Sequence, residues 1–106
     1  MGNKRIEVVS ESMFYTLMAF LHGDYSGAEV ASMVETLTRG RVRLGPATLY
    51  TILGRFEQEQ ILTEIRTEGR RRIYHISDKG IQMFNDEQER LRQCLGDSAA
   101  WEEKSK

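Results

Sequence analysis

The chain has 106 residues, which fits a single domain, and 40% of them are hydrophobic, enough for a small core. Its one cysteine, Cys94, excludes a disulfide within the chain and a metal cluster built from cysteines. The sequence has no apolar run long enough to span a bilayer, and we expect a protein of the cytoplasm.

The net charge of −1 hides an uneven distribution along the chain. Residues 39–75 carry eight arginines against four glutamates, whereas residues 1–38 and 78–106 both carry more acidic than basic groups. Local charge rather than total charge decides whether a surface attracts phosphates. The basic middle segment is therefore either a nucleic-acid-binding surface or a solvated face, and charge alone does not separate the two.

The first forty residues predict two helices. Over residues 10–22, apolar side chains recur at the spacing of one helix face, and Gly23-Asp24 ends the pattern. Ser26 begins the second helix, because its hydroxyl and the Glu29 carboxylate have the spacing of a capping box. Gly40 is placed to end that helix in the left-handed conformation. The apolar faces consist of Met13, Leu17, Phe20 and Leu21, then Val30, Val34 and Leu37.

A third helix is predicted from Gly45-Pro46, because proline suits the first position of a helix. The opposite side of this helix from its apolar stripe carries Thr48, Thr51 and Arg55, so its outer face is polar and partly basic. The stripe itself consists of Leu49, Ile52, Leu53 and Phe56.

After Gln60 the apolar spacing changes from that of a helix to that of a strand. Residues 61, 63 and 65 alternate with residues 62, 64 and 66, and a turn signal at 68–70 follows. A second β-prone run covers residues 72–76. The two runs predict a β-hairpin with its tip near Gly69.

Ser77 and Asp78 are expected to cap a final helix. One row of this helix, at seven-residue repeat positions, is apolar apart from one glutamine, and the residues between are strongly charged. The core of the same chain is too small to cover an apolar stripe along so long and charged a helix. The stripe therefore predicts packing against the same helix of a second copy. The predicted dimerisation residues are Ile81, Phe84, Gln88, Leu91 and Leu95. Cys94 borders this row, and we expect it to be buried rather than to act in redox sensing.

The order helix, helix, helix, strand, strand, helix predicts an α+β, mostly α fold. This order of elements is typical of a winged helix-turn-helix, which has three helices and a two-stranded β-wing, followed here by a C-terminal dimerisation helix. We assign residues 8–77 to the winged helix-turn-helix DNA-binding domain and residues 78–104 to the dimerisation helix. This fold and the basic segment 39–75 together predict binding to double-stranded DNA.

Two groups of residues are candidate DNA contacts. The start of the third helix offers backbone amides, small hydroxyls and the Tyr50 hydroxyl to bases and phosphates. Three arginines at the hairpin tip suit phosphate, because a guanidinium is always charged and pairs bidentately. Strand alternation puts Arg70 and Arg72 on one face and Arg71 on the other, so all three reach DNA only if the tip is irregular. The candidates are Pro46, Ala47, Thr48, Tyr50, Thr51, Arg55, Arg70, Arg71 and Arg72, with Arg55 either on the DNA backbone or paired with Glu59.

Two stretches resemble the PadR family of transcriptional regulators. Residues 42–50 (VRLGPATLY) and 53–57 (LGRFE) resemble the family's recognition helix, and residues 69–80 (GRRRIYHISDKG) resemble its wing and the entry to its last helix. The resemblance covers residues 8–95 and fits the shorter subgroup with a single C-terminal helix. It implies a dimeric repressor on a palindromic operator, released by an effector, with Thr48, Tyr50 and the three tip arginines on DNA.

The chain departs from the family pattern at two places. Gln60 stands where the family usually has glycine, so the turn from helix to strand must form without it. Some short members bind planar drugs between two tryptophans early in the last helix, and the corresponding position here is Leu91. Trp101, a candidate ligand contact, lies ten residues later.

The same residues give little support to an enzyme or a metal-binding protein. The sequence has no glycine-rich phosphate loop and no nucleophile with an evident base, so we expect neither an enzyme nor a cofactor. His22 and His75 lack the spacing of metal ligands, so we expect no metal. The pI of about 6.1 and the acidic ends leave a winged-helix protein-interaction module as one alternative. Another is a regulator that senses a small molecule between the last helices of the dimer.

Overall fold

The computed structural model describes residues 5–104 and contains four helices and one antiparallel two-stranded sheet within them. The helices are α1 (Glu11–Phe20), α2 (Gly27–Leu37), α3 (Pro46–Gln58) and α4 (Asp78–Lys104), and the strands are β1 (Leu62–Glu68) and β2 (Arg71–Ile76). This order confirms the predicted mostly helical winged helix-turn-helix. Across the described range, each helix is too short or too polar to cross a membrane.

The predicted helix starts are confirmed. Ser10 precedes α1, and its hydroxyl accepts from the N–H of Met13 at 3.1 Å. The capping box of α2 is complete: the N–H of Glu29 donates to the Ser26 hydroxyl at 3.3 Å, and the N–H of Ser26 donates to the Glu29 carboxylate at 3.0 Å. Pro46 is the first residue of α3. Each side-chain cap stabilises a helix by about 1 kcal/mol, so these starts are defined locally.

The end of α2 differs from the prediction in two ways. The left-handed turn begins at Arg39, with φ 53°, one residue before Gly40, with φ 77°. The N–H of Gly40 donates to the carbonyl of Glu35 at 2.8 Å, which closes the helix. Leu37, predicted on the buried face, is 63% exposed, because it lies in the last turn at the mouth of a groove between α1 and α2.

The end of α3 places Gln60 in the left-handed region, with φ 61°. The N–H of Ile61 donates to the carbonyl of Phe56 at 2.8 Å, and the N–H of Gln60 donates to that of Glu57 at 3.1 Å. These two bonds form a Schellman motif, in which glycine is the favoured residue at the position of Gln60. A residue with a Cβ pays roughly 1–2 kcal/mol in this conformation, so the turn forms at a cost to stability.

The core lies where α1, α2 and α3 meet the base of the sheet. Its most deeply buried side chains, each at most 1% exposed, include Leu17, Phe20, Val30, Phe56 and Ile61. Burying each of them stabilises the fold by about 1.5–3 kcal/mol. The predicted apolar stripe of α3 is buried as a whole, and this burial directs the opposite face of the helix outward.

The predicted hairpin is confirmed, with Gly69 at its tip at φ 62°. The register shifts between Glu64 and Arg66, and the resulting bulge leaves Ile65 out of the ladder and 45% exposed. The simple alternation over residues 61–66 is therefore broken, and the adjacent residues 61 and 62 are both buried.

The wing is fastened at its base to the loop between α1 and α2. The N–H of Tyr74 donates to the carbonyl of Tyr25 at 3.0 Å, and the N–H of Tyr25 donates back at 3.3 Å. Beside this bridge, Nδ1 of His75 lies 2.7 Å from Oδ1 of Asp24. Strand β2 thus has β1 on one edge and Tyr25 on the other, which holds the base of the wing against the helices.

The first turns of α4 pack on the core of their own chain. The hydroxyl of Ser77 accepts from the N–H of Gly80 at 3.1 Å, which confirms the predicted cap. Phe84 is 6% exposed and stacks on Phe14 of α1, with ring centroids 5.0 Å apart and planes 3° apart. The ring of Phe84 is therefore inside the chain and not available to a second copy, because α1 supplies an apolar face that the row along α4 does not reveal.

The second half of α4 extends beyond the core. Leu91 is half-buried, Leu95 is 71% exposed and Trp101 is 72% exposed. Cys94 is also exposed, so the expectation that it is buried is wrong for the single chain. A helix of 27 residues is about 40 Å long, and every described residue of it from 92 to 104 is exposed.

Candidate nucleic-acid interface

The outward face of α3 presents every residue that the sequence singled out at the start of the recognition helix. Pro46, Ala47, Thr48, Tyr50 and Thr51 are all exposed, and Tyr50, the largest of these side chains, is 72% exposed. The apolar stripe of the same helix is buried and holds this face in place. Small side chains around one protruding phenol leave the backbone of α3 open to close approach.

The first turn of α3 also carries uncompensated positive charge. Gly45 occupies the cap position and has no side chain to accept from the N–H groups of this turn, and no acidic residue follows in it. The positive end of the helix dipole is therefore exposed, which favours an anion there.

A shallow groove runs beside this turn, between the starts of α1 and α3. Its volume is about 360 Å³, and four hydroxyls line it, those of Ser10, Ser12, Thr48 and Thr51. The two serines were not among the predicted contacts. The cap signature at Ser10 is the signal that could have drawn attention to them, because it marks the start of α1.

The tip of the wing presents two unpaired arginines. Arg70 and Arg71 are exposed, and neither forms an ion pair with another residue in the range 5–104. Both line a cleft of about 140 Å³ together with Arg72, with Tyr50 of α3 and with the first residues of α2. The recognition helix and the wing tip therefore border one continuous surface.

The start of α2 closes this cleft with its capping box. Hydrogen bonds from the backbone and side chain of Ser26 lower the pKa of Glu29, and the nearby charges of Arg71 and Arg66 lower it further. The carboxylate is consequently ionised at neutral pH and already satisfied by its own helix.

Arg72 differs from the other two arginines. Its Nη2 lies 2.8 Å from the Glu57 carboxylate on α3, and its Nε lies 2.5 Å from the Glu64 carboxylate on β1. Its guanidinium carbon also lies 5.3 Å from the centroid of the Tyr74 ring. Hydrogen bonding to Glu64 and the charges around it raise the pKa of Arg72. The three tip arginines are therefore not equivalent, although the sequence grouped them.

Arg55 pairs along its own helix with Glu59, at 3.0 Å between Nε and Oε2. This was one of the two roles that the sequence left open for it. The other oxygen of Glu59 accepts from the N–H of Ile6 at 2.9 Å, so the pair also ties the N-terminal segment to α3.

Three more arginines precede the recognition helix on the loop between α2 and α3. Arg39, Arg41 and Arg43 are exposed; Arg41 donates to the Tyr15 hydroxyl at 3.3 Å, and Arg43 pairs with Glu35 at 3.2 Å. The sequence analysis counted them in the basic segment but did not list them as contacts. They add positive charge to the approach to α3.

The remaining candidates lie away from this surface. Trp101 and Cys94 are on the far half of α4, and His75 pairs with Asp24. No group of three or more potential metal ligands occurs among the described residues.

The fold is shared with solved DNA-binding proteins. A transcriptional regulator from Clostridium thermocellum superposes with a TM-score of 0.75 at 21% identity, over 88% of this chain and 97% of that one. F93 from STIV, a winged-helix DNA-binding protein, gives 0.67 at 15% identity, over 79% and 90%. Bacillus subtilis PadR, solved in complex with operator DNA, gives 0.62 at 20% identity, over 72% and 46%. No curated protein sequence matches the chain significantly.

The family is shown by the sequence itself. Residues 10–86, from the cap of α1 to the part of α4 that joins the core, match the model of the family described as the transcriptional regulator PadR-like family. Members of this family are DNA-binding regulators and not enzymes. The chain thus belongs to the PadR-like family of transcriptional regulators and carries its DNA-binding winged-helix fold.

Proposed function

We propose that this protein is a homodimeric repressor that binds a palindromic operator in double-stranded DNA. The observation that carries the proposal is the cleft shared by Tyr50 of α3 and the tip arginines Arg70 and Arg71. It makes the recognition helix and the wing parts of one surface with exposed positive charge. Such a surface suits a helix in the major groove with a wing on the neighbouring backbone.

In this arrangement the start of α3 reads bases and the groups around it bind phosphates. Thr48 and Thr51 are small enough to approach base edges, while Pro46 and Ala47 bring the first turn of the backbone close. Tyr50 donates to a phosphate from one side, and Arg70 and Arg71 bind phosphates from the other. Arg55, paired with Glu59, lies at the far end of the helix and serves the scaffold.

The proposed dimer uses the outer half of α4. Leu91 and Leu95 continue the predicted row beyond the core, with Gln88 and the partly exposed Ile81 before them. Covering these leucines with a second copy would stabilise the dimer by about 25 cal/mol for each Å² of apolar surface removed from water. A two-fold dimer would present two recognition helices, which is the symmetry that a palindromic operator requires.

A salt-dependent titration tests the DNA interface. Wild type is titrated with a labelled duplex from the region upstream of its own gene and with a random duplex of equal length. The logarithm of the affinity should fall linearly with the logarithm of salt concentration, with a slope near −0.9 for each phosphate contacted. Arg70→Ala and Arg71→Ala should each make this slope shallower by about 0.9.

Arg92→Ala is the matched control. Arg92 is exposed on α4, so this substitution removes the same charge at a position away from the proposed surface. A slope that responds equally to all three substitutions would mean that only total charge matters. Equal, salt-insensitive affinity for both duplexes would instead favour the protein-interaction module.

A further inference from the structure

Arg72 occupies the junction between the recognition helix and the wing. Its guanidinium donates through Nη2 to Glu57 on α3 at 2.8 Å and through Nε to Glu64 on β1 at 2.5 Å. The Tyr74 ring lies 5.3 Å from its centre and restricts the plane of the group. The planar fork of arginine is suited to this bridging, which the point charge of lysine cannot reproduce.

The local charge at this junction argues against a phosphate on Arg72. Two carboxylates surround one guanidinium, so the cluster has a net negative charge at neutral pH. A DNA phosphate would be a third anion and would have to displace one of them. Arg70 and Arg71, two positions away at most, form no ion pair among the described residues. The charge of Arg71 acts on the Glu29 carboxylate, but that carboxylate already accepts from the N–H of Ser26.

The junction adds a side-chain link between α3 and the wing, which the core already joins at the base of the sheet. The base of the wing is fixed by the backbone bridge between Tyr74 and Tyr25. Above this bridge, every residue of β1 after Leu62 is exposed, and on β2 Ile73 is buried while Arg71 and Arg72 are exposed, so the apolar packing of the upper wing rests on Ile73. Among the ion pairs of residues 5–104, the one between Arg72 and Glu57 is the pair that joins α3 to the wing.

We propose that Arg72 is a positioning residue, which sets the distance of the wing tip from the recognition helix and does not itself bind phosphate. Glu57 and Glu64 hold its guanidinium, and the wing tip then presents Arg70 and Arg71 at a fixed distance from Tyr50. This inference rests on the proposed function, because it assigns a role within DNA binding. It removes one of the contacts that the sequence predicted.

The test compares specific and random DNA. The specific probe is the duplex that wild type selects from a randomised pool, and the second probe is an unselected duplex of equal length. Arg72→Ala should lower the ratio of the two affinities roughly tenfold, as expected for a coupled network, and leave the salt slope unchanged. Arg70→Ala, as the control for a phosphate contact, should make the slope shallower by about 0.9 on both duplexes.

A double-mutant cycle with Glu57 separates the two roles further. Glu57→Ala should lower the affinity ratio in the wild-type background, and should change it little once Arg72 is alanine. The ratio is the proper measure, since removing one carboxylate strengthens binding to any DNA equally. The melting temperature of each variant confirms that it is folded.

The outcomes distinguish the inference from the proposed function. An Arg72→Ala variant whose slope falls by about 0.9, with equal losses on both duplexes, has lost a phosphate contact and overturns the inference. Unchanged affinity ratio and slope in Arg72→Ala overturn it as well. A wild-type protein that selects no duplex and shows no salt-dependent binding refutes the proposed function together with the role assigned within it.

Discussion

Replacing Phe84 by leucine should destabilise the single chain, whereas replacing Leu95 by alanine should affect only its assembly. Phe84 is buried and stacked on Phe14, while Leu95 is 71% exposed on the same helix. Loss of the aromatic stack costs about 0.5–1.5 kcal/mol beyond the area lost, and leucine leaves part of the ring volume unfilled. We therefore expect a loss of about 1–2 kcal/mol for Phe84→Leu.

Leucine is the better probe than alanine at this position. Phe84→Ala would cost about 3–5 kcal/mol. The whole free energy of unfolding of a domain is only about 5–15 kcal/mol, so the alanine variant could fail to fold. A loss of 1 kcal/mol lowers the melting temperature of a domain this size by roughly 4–8 °C, which is easily measured.

The assay is urea unfolding followed by circular dichroism at two protein concentrations. Assembly couples stability to concentration, so a residue at a dimer contact has an effect that depends on concentration, and a core residue does not. Phe84→Leu should lose the same free energy at both concentrations, and Leu95→Ala should lose it only at the higher one. Equal losses for the two variants at the lower concentration would refute the division of α4 into a core half and an assembly half.

Three further predictions concern turns, packing and pH. Gln60→Gly should raise the free energy of unfolding by about 0.5–1 kcal/mol. Glycine relieves the left-handed strain, and the larger conformational entropy of the unfolded glycine chain offsets part of that stabilisation. Gly80→Ala should lower it by about 1–3 kcal/mol, because a Cβ there would lie 2.7 Å from the Ile76 side chain and 2.9 Å from the Ile61 carbonyl. Hydrogen bonds from Arg90 lower the pKa of Glu87 below 4.5, so its contribution to stability is complete above pH 4.5 and is lost as the pH falls through the lower, folded-state pKa. The stability of wild type and Glu87→Gln should accordingly converge in acid.

Chemical denaturation measures all three, and each has a result that contradicts it. A Gln60→Gly variant less stable than wild type would mean that the turn is not strained. Gly54→Ala is the control for Gly80, because a Cβ at Gly54 meets nothing within 4 Å and alanine is the better helix former. Equal effects at the two glycines would contradict the packing argument. A Glu87→Gln difference that is constant from pH 3 to pH 7 would exclude the ion pair as its cause.

The sequence predicted the features that depend on near neighbours. The capping box at Ser26 and Glu29, the start of α3 at Pro46 and the hairpin tip at Gly69 each need only a few adjacent residues. The outward face of α3 was predictable for the same reason, because its apolar stripe already fixes the buried side. These signals were enough to place most of the candidate DNA contacts.

Features that depend on distant residues were not predictable from the pattern. Arg72 meets Glu57 across 15 positions, and the acceptor is identified only once α3 and β2 are packed together. From its spacing alone, Phe84 could face either a second copy or the core of its own chain. Its stacking on Phe14 shows that it faces the core. Alternating residues likewise carry no sign of a register shift, which is why the bulge at Ile65 was not predicted.

The bulge at Ile65 bears on the tendency of the sheet to pair with a strand of another molecule. Strand β1 is the open edge of the sheet, since β2 is covered on its far side by Tyr25. An open, regular edge is a template onto which a strand of another molecule can add. The bulge interrupts the row of edge groups at Ile65, and the charged side chains of Glu64 and Arg66 flank the interruption. The exposed edge of the wing is therefore a poor site for strand addition and aggregation.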